Sequence, residues 1–363
     1  MNKKISFTGL ILVLLTLVSS GCLDLITSND GTITYQSHPT AIKYTISYGY
    51  LIDCSGRGEY TLKYDCDLPE VLKGFVYPPS ALDDNYEQKT LATFNTVYSW
   101  DITSTVNKEY NLGLTTTVEA ESYMVGDLNG ENALTIQEIG SQYPEYVDQY
   151  TQAQSNETIT FINPDDANIK NIAAGVLSSA DTNNAFLLAK DLFKWLKQQT
   201  TYQIHYDGNN DVQTSSFTLQ YRTGDCDDLS FLYISLCRSI GIPARFIKGF
   251  LIESNNAIAH AWVEVFVGPS VGNDGWITVE CAGVSGNLDI EVYQNFAIEQ
   301  ANHLRTFKDD GSNESMIISL TGFYSLLEPN KIIEAEAFVE VNNYYIIKSN
   351  KLEIDKTGYR RYK

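Results

Sequence analysis

The sequence predicts an α+β protein in which an N-terminal antiparallel β-sandwich precedes a helix packed on a second antiparallel sheet. Three observations carry this expectation. Residues 30 to about 125 form short segments rich in β-branched and aromatic residues, such as AIKYTISYGYLI, GEYTLKYDC and TVYSWDITSTV, separated by turn formers. Residues 226–240 carry one apolar face at helical spacing, and three strand-like runs follow at once: ARFIKGFLIE, HAWVEVFVG and GWITVECAG. A chain of 363 residues is also too long for one ordinary core, so at least two domains are expected.

The first 22 residues, MNKKISFTGLILVLLTLVSSGC, read as an export segment. Lys3 and Lys4 give the positive start, and Ile5 to Val18 form an apolar run nearer a signal segment than a membrane span. The small residues before Cys22 resemble the lipobox of prokaryotic lipoproteins, which implies lipidation of Cys22; Ser19 stands where that pattern usually has Leu. An uncleaved anchor is the other reading. Both place the mature chain outside the cytoplasmic membrane, exported and anchored at the cell surface. A net charge of −20 argues against a nucleic-acid partner, because phosphate binding needs a basic surface.

Along the chain, 30–125 is expected to be the sandwich, 126–164 a polar connecting segment, 165–290 the second domain, and 291–363 a C-terminal extension of closing strands. The basic end KTGYRRYK reads as a solvated tail. GDLNGENALTIQE sets Asp127, Asn129, Glu131 and Glu138 at calcium-loop positions, but Asn132 stands where the sharp turn wants Gly, so an ordinary acidic loop is expected. No metal and no cofactor is read from the sequence. NNAFLLAKDLFKWLKQQ predicts a helix behind an Asp/Asn cap. Cys54 and Cys66 flank SGRGEYTLKY, read as a hairpin, and stand either as a bridge or as two free thiols. Cys237 and Cys281 read as core thiols.

The chemistry concentrates at TGDCDDLSFLYISLCRSIGIPARFIKGF. Cys226 falls in the first turn of a helix that Gly241 and Pro243 end. The helix N-terminus favours a thiolate, whereas Asp225, Asp227 and Asp228 oppose one. A nucleophilic cysteine here needs a histidine. The chain has four: His38, His205, His260 and His303. Strand alternation sets His260, Trp262 and Glu264 on one face, and Trp276, Thr278 and Glu280 on one face of the next strand. If the two strands pair antiparallel, Glu280 comes beside His260 and completes a Cys–His–carboxylate triad. Glu264 is the alternative third member.

These residues resemble the transglutaminase-like superfamily of papain-fold enzymes. GDCDDLSFLYISLCRSIGIPARFIKGF is similar to its Gly-x-Cys, helix and Gly-Ile-Pro-Ala-Arg block, and HAWVEVF to its His-Ala-Trp-x-Glu-Val block. GWITVEC stands where the family shows Trp, apolar residues and Asp-Pro, so Glu280 and Cys281 depart from the pattern. The resemblance covers roughly 165–285 and implies Cys226 as nucleophile, His260 as base and acid, and Glu280 as third member. The Cys226 backbone N–H with one further donor, Tyr202, is the expected oxyanion hole. It implies a cysteine acyltransferase or peptidase acting on protein or peptide amides through a thioester. A non-catalytic binding or adhesion module is the alternative from a different class.

Overall fold

The computed structural model describes residues 26–27, 32–204, 212–283 and 286–363. The export segment with Cys22, and His205, lie outside the described residues. No helix among the described residues is long and apolar enough to cross a membrane.

The N-terminal strands are β1 (Ile33–Gly56), β2 (Tyr60–Asp67), β3 (Thr96–Ser104) and β4 (Lys108–Glu121). Helices α1 (Ile136–Gln142), α2 (Pro144–Tyr150), α3 (Ala167–Ser179), α4 (Ala185–Gln199), α5 (Ser215–Tyr221) and α6 (Cys226–Ser239) follow. Then come β5 (Ala244–Glu253), β6 (Asn256–Phe266), β7 (Trp276–Val279), α7 (Leu288–Asn295), β8 (His303–Lys308) and α8 (Asn313–Leu320). Strands β9 (Lys331–Ile354) and β10 (Arg360–Tyr362) end the chain.

The expected sandwich is present, but it is not closed by residues 30–125. In one sheet the order is β10, β9, β1, β4 and the short strand Gly74–Val76, so the C-terminal β9 runs antiparallel along the length of β1. The facing sheet orders Tyr324–Leu327, β2, β3 and Glu87–Thr90. Alternation on β1 and β4 turns Tyr44, Ile46, Leu112, Leu114 and Val118 inward against Leu62 and Trp100.

The second layer system is a helix on a sheet. Its sheet has the order β7-β6-β5-β8, all antiparallel. Helix α6 lies on β5 and β6 and is covered by α3, α4 and α5. The sequence predicted one buried face for α6, yet Leu229 through Arg238 are all buried. Its polar residues tolerate this because they are satisfied locally. Ser230 and Ser235 donate to the carbonyls of Cys226 and Phe231, at 2.6 and 2.7 Å, and Arg238 donates to the Ala244 and Gln152 carbonyls. Asn184 caps α4 by accepting from the Leu187 N–H, as its position before the apolar run implied. At the end of α6, Gly241 takes φ +86°, while its own N–H donates to Arg238 and the Ile242 N–H donates to Cys237, both at 3.0 Å. This turn fixes the exit into β5.

Several boundaries move. Residues 126–164 belong to the second core, since Leu128, Ile139, Tyr150, Phe161 and Ile162 are buried in it. Strand β8 lies beyond residue 290, yet it is the fourth strand of the site's sheet. SGRGEYTLKY is not a hairpin, because β1 and β2 lie in opposite sheets and the chain arches between them. Cys54 and Cys66 are free, buried thiols. The basic tail is not all solvated either. Arg360 is 1% exposed and donates to the carbonyls of Val125, Tyr293, Phe296 and Ala297. Burial without a carboxylate among these partners lowers its pKa to about 9.

Candidate active site

Cys226 is the first residue of α6, with Asp225 as N-cap. The aspartates around it are tied to the backbone. Asp228 accepts from the Asp225 N–H at 3.1 Å and from the Gln213 N–H at 2.7 Å, and Asp227 accepts from the Asp228 N–H at 3.0 Å. This capping answers why a cysteine sits among acids: the acids hold the helix start. They also act on the sulfur. Burial, then Asp227 and Asp225, push the Cys226 thiol well above its ordinary range, and the Ala261 backbone N–H only partly offsets them. These surroundings favour the thiol over the thiolate.

Ala261 lies on β6, next to His260, and its backbone N–H bonds the Cys226 sulfur, which places the thiol against β6 beside the His260 position. Strands β6 and β7 pair antiparallel, with Val263 opposite Val279 and Glu264 opposite Thr278. This register carries Glu280, one residue beyond β7, to the His260 ring. Its Oε2 lies 2.6 Å from His260 Nε2. Its Oε1 accepts from the Ala282 N–H at 2.7 Å, and its own N–H donates to the Asn295 carbonyl at 2.8 Å. Both ends of the residue are held. With Nε2 engaged by Glu280, Nδ1 is the remaining ring nitrogen of His260. Burial alone would raise the Glu280 carboxyl, but His260 and His303 outweigh it and hold it well below the usual range.

Glu264 is occupied elsewhere. It accepts from Arg245 Nη2 at 2.6 Å and pairs with Arg305 Nη1 at 2.7 Å. Although burial works against it, Arg305 and Arg245 hold its carboxyl at about 2. It is the centre of a buried ionic network that includes Glu299, and it is not an orienter of His260. Tyr202 is brought near Cys226 by a short parallel pairing in which it stands opposite Gly224. Burial, and then its neighbours Cys226 and Asp225, push its phenol upward. The calcium-type loop is held by its own hydrogen bonds. Asp127 accepts from the Asn129 and Glu131 amides, and Glu138 closes a capping box with Thr135.

Sequence reasoning missed the role of β8. His303 Nε2 stands 3.2 Å from the same Glu280 oxygen, and Trp262 packs edge-on against His303 with ring centroids 4.9 Å apart. The only sequence signal was that His303 is one of four histidines in the chain.

Residues 170–281 match the family model of the transglutaminase-like superfamily, a stretch that contains Cys226, His260 and Glu280. The Uncharacterized protein YebA of Bacillus subtilis (strain 168) is 33% identical over 86 residues, which is 20% of this chain and 11% of that protein. The match therefore spans about a tenth of that relative's length. A crystal structure from Cytophaga hutchinsonii, provisionally described as a cysteine protease, shares the fold with a TM-score of 0.53 at 13% identity. That alignment covers 85% of this chain and 99% of the other. The resemblance read from the motifs thus extends to the family model over the helix-and-sheet region and to the fold over most of the chain.

Proposed function

We propose that the protein is a cysteine-dependent acyl-transfer enzyme that opens amide bonds through a thioester on Cys226. The observation that carries this reading is Glu280 fixed at 2.6 Å from Nε2 of His260, whose chain neighbour Ala261 donates its backbone N–H to the Cys226 sulfur. His260 removes the thiol proton as Cys226 attacks the substrate carbonyl, and the C–S bond forms. Glu280 stabilises the imidazolium that results. The imidazolium then gives its proton to the departing amine as the C–N bond breaks. Water or a second amine releases the acyl group, and we favour water, hence peptide or amide hydrolysis. The Cys226 N–H and Tyr202 hydroxyl are the proposed oxyanion donors. Export, lipidation at Cys22 and display at the cell surface are part of the same proposal, supported by the N-terminal segment alone.

Surroundings that disfavour the Cys226 thiolate also favour a second reading, a binding module that retains the fold without turnover. Trapping the acyl-enzyme decides between them. The protein is mixed with activated esters and a panel of peptide amides, acid-quenched, and the Cys226 peptide is weighed by mass spectrometry. An acyl adduct on Cys226, lost in His260→Ala, is expected. No adduct with any acyl donor would leave the binding module.

A further inference from the structure

We infer that His260, Glu280 and His303 form a site for a first-row divalent transition cation of the zinc type, and that an ion bound there turns the enzyme off. One ligand atom from each residue lies within 4.8 Å of the other two. The donors come from β6, the residue after β7, and β8, which are three strands of one rigid sheet. Both Nε2 atoms address one oxygen, Glu280 Oε2, at 2.6 and 3.2 Å.

The second nitrogen of His303 makes the case for a cation. Its Nδ1 lies 3.0 Å from Asn302 Oδ1, a carboxamide oxygen. An acceptor at that position is matched by a proton on Nδ1, and in the neutral ring this leaves the Nε2 lone pair toward the Glu280 carboxylate. Positive charge belongs between the two atoms across that 3.2 Å, as a second proton on the ring or as a metal ion. A ligating histidine whose other N–H donates to an oxygen is the usual outer-shell arrangement at metal sites. Glu280 is equally prepared, with Oε1 anchored on the Ala282 N–H and Oε2 free to turn to an ion.

The donor set selects the class of ion. Two imidazoles and one carboxylate suit zinc-like cations, with a fourth position for water; calcium and magnesium ask for six or more oxygens. Tetrahedral bonds of about 2.05 Å set neighbouring donors about 3.3 Å apart. The His303–Glu280 pair already has that spacing, and the His260–Glu280 pair needs to open by about 0.7 Å. The sequence offers no spacing motif for this site, because the ligands are brought together only by strand pairing.

With an ion bound, His260 and Glu280 are both engaged through the atoms that would otherwise stabilise the imidazolium. This consequence for catalysis rests on the acyl-transfer reading; the binding does not. The test titrates cobalt(II), then zinc, into chelator-stripped full-chain protein and follows the visible cobalt spectrum. Wild type and Cys226→Ser should each take up one cobalt in a tetrahedral environment, without a thiolate charge-transfer band, and release it to zinc. His303→Gln and Glu280→Gln should lose the site, and Asn302→Ala should weaken it about tenfold or more, the effect of an outer-shell loss. Circular dichroism confirms that each variant is folded. Failure of the wild type to take up cobalt at micromolar concentration overturns the proposal and leaves a proton between His303 and Glu280. Binding that follows Cys226 and survives His303→Gln also overturns it, placing the ion among Asp225, Cys226 and Asp227. Cobalt uptake by a protein that forms no acyl adduct would sink the enzyme reading while the metal site stands.

Discussion

Glu280→Gln isolates the contribution of one charge. The replacement keeps size and an acceptor oxygen but removes the negative charge that faces His260 at 2.6 Å and His303 at 3.2 Å. Loss of a buried orienting carboxylate in a triad lowers turnover by about 10³–10⁴, equivalent to about 4–5.5 kcal/mol of transition-state stabilisation. Stability should fall much less, by about 1–3 kcal/mol at pH 7, because the amide still fills the site and accepts one bond. The pH dependence gives an independent check. The Glu280 carboxyl is held below its unfolded value, so its stabilisation is complete above the unfolded carboxylate pKa of about 4.3 and disappears as pH falls toward the lower folded value. Urea unfolding of wild type and variant from pH 7 to pH 3 should therefore show a gap that narrows below about pH 4.3. Single-turnover acylation of Cys226 supplies the rate. Acylation within tenfold of wild type, or a stability gap that stays constant across that range, would refute the reasoning.

Glu264→Gln should do the opposite. It leaves Arg245 and Arg305 without their shared carboxylate and should cost about 3–5 kcal/mol of stability in denaturant unfolding, with acylation per folded molecule reduced far less than in Glu280→Gln. Arg360→Ala removes the guanidinium donors from four backbone carbonyls, of which that of Ala297 keeps another donor, the Val125 N–H, and should destabilise the chain by about 3–5 kcal/mol, read as a drop in the unfolding midpoint. Iodoacetamide should label Cys226 slowly at pH 7, with a rate rising through alkaline pH above the free-thiol value of about 8.5; fast labelling at pH 6 would mean a preformed thiolate. Gly249→Ala should disturb His303, because a Cβ there would stand 1.9 Å from the Leu304 carbonyl and force β8 away from β5. Its measure is loss of acylation together with a lowered melting temperature.

Cys226 and its helix were legible because their signals are local. Helical spacing, a capping run of aspartates and a Gly-Ile-Pro stop all act within a few residues, so the chain itself determines that Cys226 opens a helix. Strand alternation likewise set His260 and Glu280 on definite faces, and it needed only the β6–β7 register to bring them together. The choice between Glu280 and Glu264 was different in kind. Both share the right chemistry and spacing, and it took Arg305, about 40 positions along the chain, to occupy Glu264. His303 carries no periodic or motif signal, because it reaches the site only through the pairing of β8 with β5. For the same reason the sandwich had no visible closing strand: β9 meets β1 across nearly the whole chain. Short-range sterics and hydrogen bonds are written in adjacent residues, and the sequence determined what depended on them. Pairing between distant strands is decided by which surfaces the folded chain can bury together, and only the tertiary structure records that choice.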